Sequence, residues 1–489
     1  MSSVTAGSGD FSNPASRENA RECVMPAKGS YFDGAQITPR HKKIFLVIML
    51  AYFFEQMDNI NFGYVAQAMF DSWGLGAAAA NQAMGLILTF YFIGMTLGGF
   101  LGGVISDLIG RRKTFLGSII LFSLCSVITG LPIDNLYLFI TARALTGFGV
   151  FCMMVCSQVY IAEMAPAESR GKWQGLIGAI GFLALPVVGV LCTIVVPLSA
   201  ESWRLIFYFG GLGLVGYALG SKYLCESPRW LVNQGRKSEA EAVIREVSGR
   251  QVDLSQEAAR VECRSSVREI LSGMFSGKYL GRTLLLLAAF LLVTPATFIF
   301  STWTAKLLAG MSVIDPQSGA VSQAFSPRTA LAIMTAITCG SPVGCFLASR
   351  IADLGGRKIP LCACFFAAGL GALMFAYAPA SPILLFIAGF VISVSNMAGN
   401  MILFTYASES YPTKMRNTAS GALNGMGRLS VSTFQAILPV LLLYFSQSGI
   451  LNMDMRVIFT VCAILFVAPL LPVLILGQRT GGKSLEEIS

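Results

Sequence analysis

Long apolar stretches separated by short polar loops repeat along this chain from Ile44 onward. Each contains about 20 residues, which is enough to cross the roughly 30 Å hydrocarbon core of a bilayer as an α-helix. The pattern predicts six spans, a longer polar segment and six further spans. The predicted spans are 44–70, 82–106, 114–133, 137–162, 172–197, 204–224, 283–309, 328–352, 359–378, 382–408, 416–446 and 453–477.

The polar segments divide the 489 residues into two helical bundles joined by a linker. Two amphipathic runs, beginning at Ser238 and Ser255, predict short helices in that linker. The sequence thus predicts an all-α membrane protein with 12 transmembrane helices. The predicted units are a cytoplasmic tail at 1–43, a six-helix bundle at 44–224, a cytoplasmic linker at 225–282, a second bundle at 283–477 and a cytoplasmic tail at 478–489.

The composition supports a membrane protein. Hydrophobic residues make up 54% of the chain and charged residues only 12%, whereas soluble domains are about a quarter charged. The 50 glycines suit closely packed membrane helices. The cysteines lie mostly in apolar runs without zinc-type spacing, so no metal or cofactor is expected. The absence of a catalytic triad, an H-E-x-x-H motif and a phosphate loop argues against a membrane-embedded enzyme.

Positive charge is distributed unevenly among the predicted loops. Most of the 35 Lys and Arg residues fall in the tails, the linker and alternate loops, whereas loops 71–81, 132–136 and 311–327 hold none. Because cytoplasmic loops carry the excess of Lys and Arg, both termini are predicted to be cytoplasmic. The net charge of +9 would then face anionic lipid rather than nucleic acid. The compact loops favour a bacterial inner membrane over a eukaryotic plasma membrane, and we expect a monomer.

The two predicted bundles resemble each other at a fixed offset of 246 residues. Identical residues recur at this offset across two separate loops in each half. Parallel six-helix repeats of this kind are typical of one large class of transporters. The recurring pairs include Asp107 with Asp353, Gly110 with Gly356, Arg111 with Arg357, Glu163 with Glu409 and Arg170 with Arg416.

These repeated residues also carry a family resemblance. The segment 103–113 (GVISDLIGRRK) resembles the loop motif of the major facilitator superfamily, although Leu108 replaces its usual basic residue, and 353–358 resembles a second copy. Residues 143–147 resemble the motif of the fourth helix, while 226–230 (ESPRW) and 482–488 resemble sugar porters and their organic-ion relatives. The resemblance covers about residues 44–488. It implies the major facilitator fold and transport of a small molecule by alternating access.

The resemblance also implies a cytoplasmic gate built from charged residues that bridge helices in one state and separate in another. The alternative is an ordinary anchor at the membrane surface. The predicted gate residues are Asp107, Arg111, Arg112, Glu163, Arg170, Glu226, Arg229, Asp353, Arg357, Glu409 and Arg416.

Charged residues within the spans predict a site of proton coupling, because such residues are costly in a membrane and are usually functional. Glu55, Asp58 and Asn61 share roughly one face of the first span. Asp58 lies about 21 Å from the cytoplasmic end, and Arg143 about 9 Å from the outer end of the fourth span, so the two side chains can pair. Proton-coupled sugar porters place an Asp and an Arg similarly. We assign Asp58, Arg143 and Glu55 to proton coupling; the alternative is a static ion pair.

Arg428 is the main candidate for substrate binding. It lies near mid-membrane in a polar stripe of the eleventh span that also contains Asn424. A guanidinium group binds a carboxylate through two parallel hydrogen bonds, and segment 411–417 together with Arg428 resembles transporters of organic anions and aromatic acids. The alternative is that Arg428 pairs with an acidic neighbour or a lipid phosphate. The other predicted substrate-binding residues are Asn396, Asn400, Trp303, Asn61 and Gln158.

The seventh span bears on the class of substrate. Where sugar porters carry amide side chains for sugar hydroxyls, residues 294–303 read TPATFIFSTW. This difference favours an apolar or aromatic body with an acidic head. The predicted function is proton-coupled symport of a small organic anion, an aromatic or other carboxylic acid. The alternatives are transport of a neutral solute such as a sugar, and a non-transporting sensor or receptor with the same fold.

Overall fold

The computed structural model describes residues 31–254, 272–277, 279–314, 320–352, 354, 356–411, 413–446 and 452–477; within these ranges the side chains of 167, 168, 170, 171, 408, 413–418 and 446 are not described. Eleven of the described helices are long and apolar enough to cross a membrane. Helix Pro39–Ser72, with 34 residues, is the twelfth. It carries Glu55, Asp58 and Asn61 in its middle, which lowers its hydropathy. The predicted all-α architecture with 12 transmembrane helices is confirmed.

The first half contains eight helices, because two of its six spans are interrupted. The fifth span breaks at Leu183 and the sixth at Leu212. The helices are α1 Pro39–Ser72, α2 Ala77–Ile109, α3 Arg111–Gly130, α4 Leu136–Met164, α5 Ala167–Phe182, α6 Ala184–Val195, α7 Trp203–Gly211 and α8 Gly213–Tyr223.

Short helices form the linker, and the second half, like the first, consists of long helices. The first predicted linker helix is present, but the one predicted to begin at Ser255 lies outside the described residues. A short antiparallel hairpin, β1 Ser312–Ile314 and β2 Val321–Gln323, occupies a loop for which no strand was predicted. The helices are α9 Pro228–Asn233, α10 Lys237–Ser248, α11 Leu280–Ala309, α12 Pro327–Thr338, α13 Gly340–Ile351, α14 Lys358–Tyr377, α15 Pro382–Glu409, α16 Thr413–Ser446, α17 Met453–Val467 and α18 Leu470–Leu476.

Glycines allow α2 and α4 to pack with their backbones nearly in contact. A Cβ atom at Gly98 would lie 3.0 Å from the Cα atom of Phe148, and one at Gly102 would lie 2.9 Å from the Cα atom of Cys152. Membrane helices associate through such close packing because lipid offers no hydrophobic driving force for their association. The small residues of α2 therefore fix its position against the helix that carries Arg143.

The two bundles contact each other closely on the side of the membrane opposite the basic loops. A Cβ atom at Gly63 of α1 would lie 2.9 Å from the Cα atom of Thr302 on α11, and one at Gly85 of α2 would lie 2.9 Å from the backbone oxygen of Gln435 on α16. The Lys306 side chain of α11 donates a hydrogen bond to the Asn81 side chain of α2. These contacts close the interface between the bundles on that side.

On the basic side, residues 31–38 hold the linker against the first helix. The Thr38 hydroxyl donates to the backbone oxygen of Val247 on α10 at 2.6 Å, and Arg40 forms a 2.7 Å ion pair with Glu246. His41 is fully buried beneath this segment, with its Nδ1 atom 2.9 Å from the Thr38 hydroxyl. The segment, α1 and α10 thus form one packed unit around the single histidine of the chain.

We predict that His41 makes this unit sensitive to acid. Burial lowers the pKa of His41 below its usual value of 6.5, so the folded protein favours the neutral ring. The resulting stabilisation is complete above pH 6.5 and is lost as the pH falls below that value. Thermal unfolding of purified protein, measured from about pH 7.5 to about 5.5, should show a larger fall in Tm for the parent than for His41→Asn. Parallel curves for the two proteins would contradict this role of His41.

A second prediction concerns the closed side. Gly85→Leu should prevent close contact of α2 with α16, because a side chain at that position meets backbone, and the population should shift towards a form open on the side opposite the basic loops. Alkylation of engineered cysteines on that side should accelerate severalfold. Gly103→Leu is the matched control, because a Cβ atom there meets nothing within 4 Å. Equal labelling rates in the two variants would refute the assignment of Gly85 to closure.

Candidate functional site

An ion pair between α1 and α4 lies at the centre of the first bundle. The Arg143 guanidinium donates to Asp58 Oδ2 at 2.9 Å and to the backbone oxygen of Asp58 at 3.2 Å. Both side chains are almost completely buried. The structure therefore places Asp58 and Arg143 in direct contact, as their predicted depths in the membrane indicated. A buried pair of this kind persists only if hydrogen bonds satisfy its remaining polar atoms.

Those additional hydrogen bonds come from two neighbouring side chains. Asn61 donates to Asp58 Oδ1 at 3.1 Å, and the Ser126 hydroxyl of α3 donates to the same oxygen at 2.9 Å. The Arg143 guanidinium packs over the Tyr91 ring, 4.6 Å from its centroid. Asn61, which was predicted to bind substrate, uses its amide nitrogen for Asp58, whereas its buried Oδ1 atom has no hydrogen-bond partner.

A chain of hydrogen bonds leads from this ion pair to Glu55. The Tyr91 hydroxyl donates to Asn59 Oδ1 at 2.7 Å, and Asn59 Nδ2 donates to Glu55 Oε1 at 2.8 Å. The other carboxylate oxygen of Glu55 accepts from Gln56 at 3.0 Å. Glu55 is buried, and both of its described donors are neutral amides. The ring of Tyr91 thus contacts Arg143 while its hydroxyl connects to Glu55 through Asn59.

Arg428 of α16 lies across the bundle interface from this chain. Its guanidinium packs between two rings, 4.3 Å from the centroid of Phe298 and 5.0 Å from that of Phe151. Its Nη1 atom approaches the Met95 sulfur at 4.0 Å, and its buried Nε atom has no hydrogen-bond partner. Within the described part of the chain, no acidic side chain forms an ion pair with it.

The remaining predicted substrate-binding residues occupy different environments. Asn396 accepts from Thr297 at 2.7 Å and from Asn400 at 2.9 Å, which joins α15 to α11. Trp303 is fully buried and donates to Gln435 at 2.7 Å. Asn424 lies half-buried one turn before Arg428, and Gln158 is exposed on α4. Arg428 and Asn424 are therefore near neighbours, whereas Asn396, Asn400 and Trp303 form contacts between helices of the second bundle.

A cluster of charges centred on Arg111 lies at the basic ends of α2, α3 and α4. Its guanidinium donates to Asp107 at 2.7 Å and to Glu163 at 3.3 Å. The Arg112 guanidinium instead donates to the backbone oxygen of Ser221, at 2.8 Å. All of these partners belong to the first bundle. The cluster therefore connects the ends of α2, α3 and α4 within the first bundle.

Glu226 completes the cluster by accepting hydrogen bonds from the start of α3. Its Oε1 atom accepts from the backbone N–H groups of Arg111 at 2.8 Å and of Arg112 at 3.2 Å. Burial raises the pKa of Glu226 from its usual 4.5, and the backbone donors oppose that shift. Gly110 makes this approach possible, because its φ angle is +105° and a Cβ atom there would lie 3.0 Å from the Glu226 carboxyl carbon.

The second half repeats part of this cluster. Arg357 binds Glu409 through two hydrogen bonds, of 2.8 and 3.1 Å, at the positions that match Arg111 and Glu163. Asp353 lies outside the described residues, and the side chains of Arg170 and Arg416 are likewise not described. Arg229 is exposed on α9. The contacts described for this second cluster are therefore those of the Arg357–Glu409 pair.

Three contributors to the site did not emerge from the sequence. Asn59, Tyr91 and Ser126 connect the charged residues, but each is a common residue within an apolar span. The weak signal that exists is the spacing of Asn59 from Glu55, which places them one helical turn apart. Among the described residues, no group of three or more His, Cys, Asp and Glu side chains is positioned to hold a metal ion.

The fold and the charged interior define a membrane transporter, and comparison with known proteins agrees. The sequence model of the Major Facilitator Superfamily matches residues 45–435. The chain therefore belongs to this superfamily of multi-pass membrane proteins, and its family resemblance is confirmed.

Individual relatives are bacterial transport proteins. YyaJ of Bacillus subtilis, a candidate metabolite transport protein, is 30% identical over 81% of this chain and 85% of its own length. The niacin transporter NiaP of Acinetobacter baylyi is 23% identical over 92% of this chain and 96% of its own. The inward-open xylose transporter XylE of Escherichia coli matches in fold, with a TM-score of 0.70 and 19% identity over 91% of this chain and 98% of its own.

Proposed function

We propose that this protein is a secondary active transporter that carries a small organic anion, a carboxylate, together with protons. The observation that carries this proposal is Arg428, a buried cation whose guanidinium has aromatic faces around it and no described acidic partner in hydrogen-bonding distance. A lone cation inside a membrane is costly unless a negative group joins it. A substrate carboxylate supplies that group and fits the guanidinium through two hydrogen bonds.

The rings that enclose Arg428 favour an aromatic body for this anion. Phe298 and Phe151 belong to opposite bundles, so a flat substrate bound at Arg428 would contact both. Niacin, which gives the relative NiaP its name, is itself a small aromatic carboxylic acid. A neutral solute such as a sugar is the second candidate, supported by the amide cluster of Asn396 and Asn400 and by the fold likeness to a xylose transporter.

Proton coupling is assigned to Asp58 and Arg143, with Glu55 as the neighbouring carboxylate. Protonation of Asp58 removes the charge that holds Arg143, which frees α4 to move relative to α1. The hydrogen-bond chain through Asn59 and Tyr91 carries this change towards the Arg428 region.

The Arg111 cluster and its counterpart at Arg357 are proposed to act as the gate on the basic side. In this structure each joins helix ends within its own bundle, and the gate role requires these contacts to separate in another state. We further propose that this side is cytoplasmic, that both termini lie there, and that the membrane is a bacterial inner membrane. The distribution of Lys and Arg and the bacterial relatives support these assignments.

The coupling role predicts a separation of two activities. Asp58→Asn should abolish proton-driven accumulation, because no carboxylate loads and releases the proton, yet it should spare exchange of substrate across the membrane. Combining it with Arg143→Gln removes the unpaired cation and should restore any loss of stability. Accumulation and exchange would be measured in the same proteoliposomes, with exchange reporting that the protein is folded. Continued accumulation against a gradient by Asp58→Asn would exclude Asp58 as the coupling site.

The substrate role predicts a graded loss of affinity at Arg428. Arg428→Lys keeps the charge but loses the planar fork, so carboxylate binding should weaken about tenfold, and Arg428→Ala should weaken it further. The amide of the same acid should lose little affinity with either substitution. Calorimetry on the parent and both variants provides the measurement. An acid that binds Arg428→Ala as tightly as the parent would rule out the organic-anion proposal and favour a neutral substrate.

The gate proposal predicts a change in accessibility. Asp107→Asn or Glu163→Gln removes a partner of Arg111, which should loosen the basic ends of α2–α4 and shift the population towards the form open on the basic side. Cysteines engineered on both sides would be labelled and compared with those in Glu239→Gln, a control that loses an exposed ion pair on α10. Unchanged labelling on both sides would leave only a surface-anchor role.

A further inference from the structure

The carboxylate of Glu55 is the second unusual charge near the proposed substrate site. It is about as buried as Asp58 and Arg143, but it binds no cation. Each of its oxygens accepts one described hydrogen bond, from Asn59 or Gln56, and both donors are neutral. Because each carboxylate oxygen accepts about two hydrogen bonds, Glu55 retains capacity for a further donor.

Glu55 and Arg428 border the same stretch of α2. Glu55 reaches Tyr91 through Asn59, whereas Arg428 contacts Met95, four residues and thus about one helical turn further along. The two charges belong to different bundles and share no hydrogen bond among the described contacts. A buried carboxylate and a buried guanidinium therefore face the same part of the interface, each without a direct partner of opposite charge among the described side chains.

We propose that these two groups form a bipolar substrate site, in which Arg428 binds the carboxylate of the substrate and Glu55 accepts a hydrogen bond from a donor elsewhere on the same molecule. The proposal rests on the function proposed above and narrows its substrate class. The donor is a protonated nitrogen or a hydroxyl group. The substrate is thus an aromatic or heteroaromatic acid that carries such a donor.

Charge balance explains why a donor is needed. In the empty site, Glu55 and Arg428 offset each other at a distance. When a carboxylate neutralises Arg428, Glu55 remains as a buried charge without compensation, which is costly in a medium of low dielectric constant. A protonated nitrogen on the substrate removes that cost most fully, and a hydroxyl group removes part of it. A plain acid supplies no donor, so Glu55 must take up a proton when that acid binds, and the site should rank the three kinds of acid in that order.

The geometry also gives the donor a mechanical consequence. Glu55 lies on α1 and Arg428 on α16, so a substrate with both groups bridges the two bundles, whereas a plain acid holds only one. The binding energy of a substrate that contacts both bundles would stabilise a closed, loaded state of the transporter. Specificity for bifunctional acids would then arise from the closing movement as well as from the initial contact.

The test uses three probes with one shared ring: benzoate, 3-hydroxybenzoate and 3-(aminomethyl)benzoate. Their binding to the purified full-length parent, Glu55→Gln, Arg428→Ala and the control Glu239→Gln would be measured by calorimetry. The parent and the control should bind the aminomethyl acid at least about tenfold more tightly than benzoate, with the hydroxy acid between them. Glu55→Gln should reduce this ratio to near one while leaving benzoate binding unchanged or stronger. Arg428→Ala should weaken all three acids.

The outcomes separate the two proposals. If the parent binds all three acids equally, or if Glu55→Gln keeps the parent's ranking, the bipolar site is wrong even where Arg428→Ala weakens every acid. If Arg428→Ala weakens none of them, the organic-anion function itself fails. Absence of binding by any probe to the parent at millimolar concentration would count against both proposals. Glu55→Gln is nearly isosteric, and an unchanged benzoate affinity shows that it is folded.

Discussion

The ion pair of Asp58 and Arg143 is the interaction on which the rest of this interior depends. Two opposite charges removed from water are tolerated only when neighbouring groups satisfy most of their remaining polar atoms; of these, Arg143 Nε has no hydrogen-bond partner. Most of the surrounding design serves that need: Asn61 and Ser126 supply donors to Asp58, and Tyr91 supplies a ring face to Arg143. Loss of either charge would leave the other uncompensated, a cost of about 3–5 kcal/mol. Protonation of Asp58 therefore acts on α1, α3 and α4 together.

The charged motifs on the basic side and the transmembrane interior obey different constraints. The Arg111–Glu163 and Arg357–Glu409 pairs recur at the 246-residue offset because both halves must hold their helix ends at the same surface. The interior does not recur. At that offset Asp58 corresponds to Thr304 and Arg428 to Phe182. The first bundle therefore holds the buried Asp58–Arg143 pair, and the second holds Arg428, which has no described acidic partner. The two halves share the same helical scaffold but carry different charged groups in their interiors.

Much of this arrangement was predictable because the membrane restricts what a sequence can do. Spans follow from apolar length, and the depth of Asp58 and Arg143 follows from the rise per residue. Hydrogen-bond partners could not be predicted in the same way. The contacts of Asn61 with Asp58 and of Trp303 with Gln435 were not predicted, because the orientation of a polar side chain depends on helix rotation and on its neighbours. The interruptions at Leu183 and Leu212 do have local signals, Pro186 after the first and Gly211 and Gly213 beside the second, but a prediction from apolar length does not register them.

Charge accounting connects these observations. Apart from Lys306 on the closed side, the described interior of the two bundles holds the carboxylates of Glu55 and Asp58 and the guanidiniums of Arg143 and Arg428. Direct contact neutralises Asp58 and Arg143, whereas Glu55 and Arg428 remain separated across the interface. Separation leaves both groups available to a ligand, and a ligand of matching polarity closes the gap without leaving a net charge in the membrane. Under the proposed function, electroneutrality of the loaded interior is therefore the condition that relates substrate choice, proton movement and the approach of the two bundles.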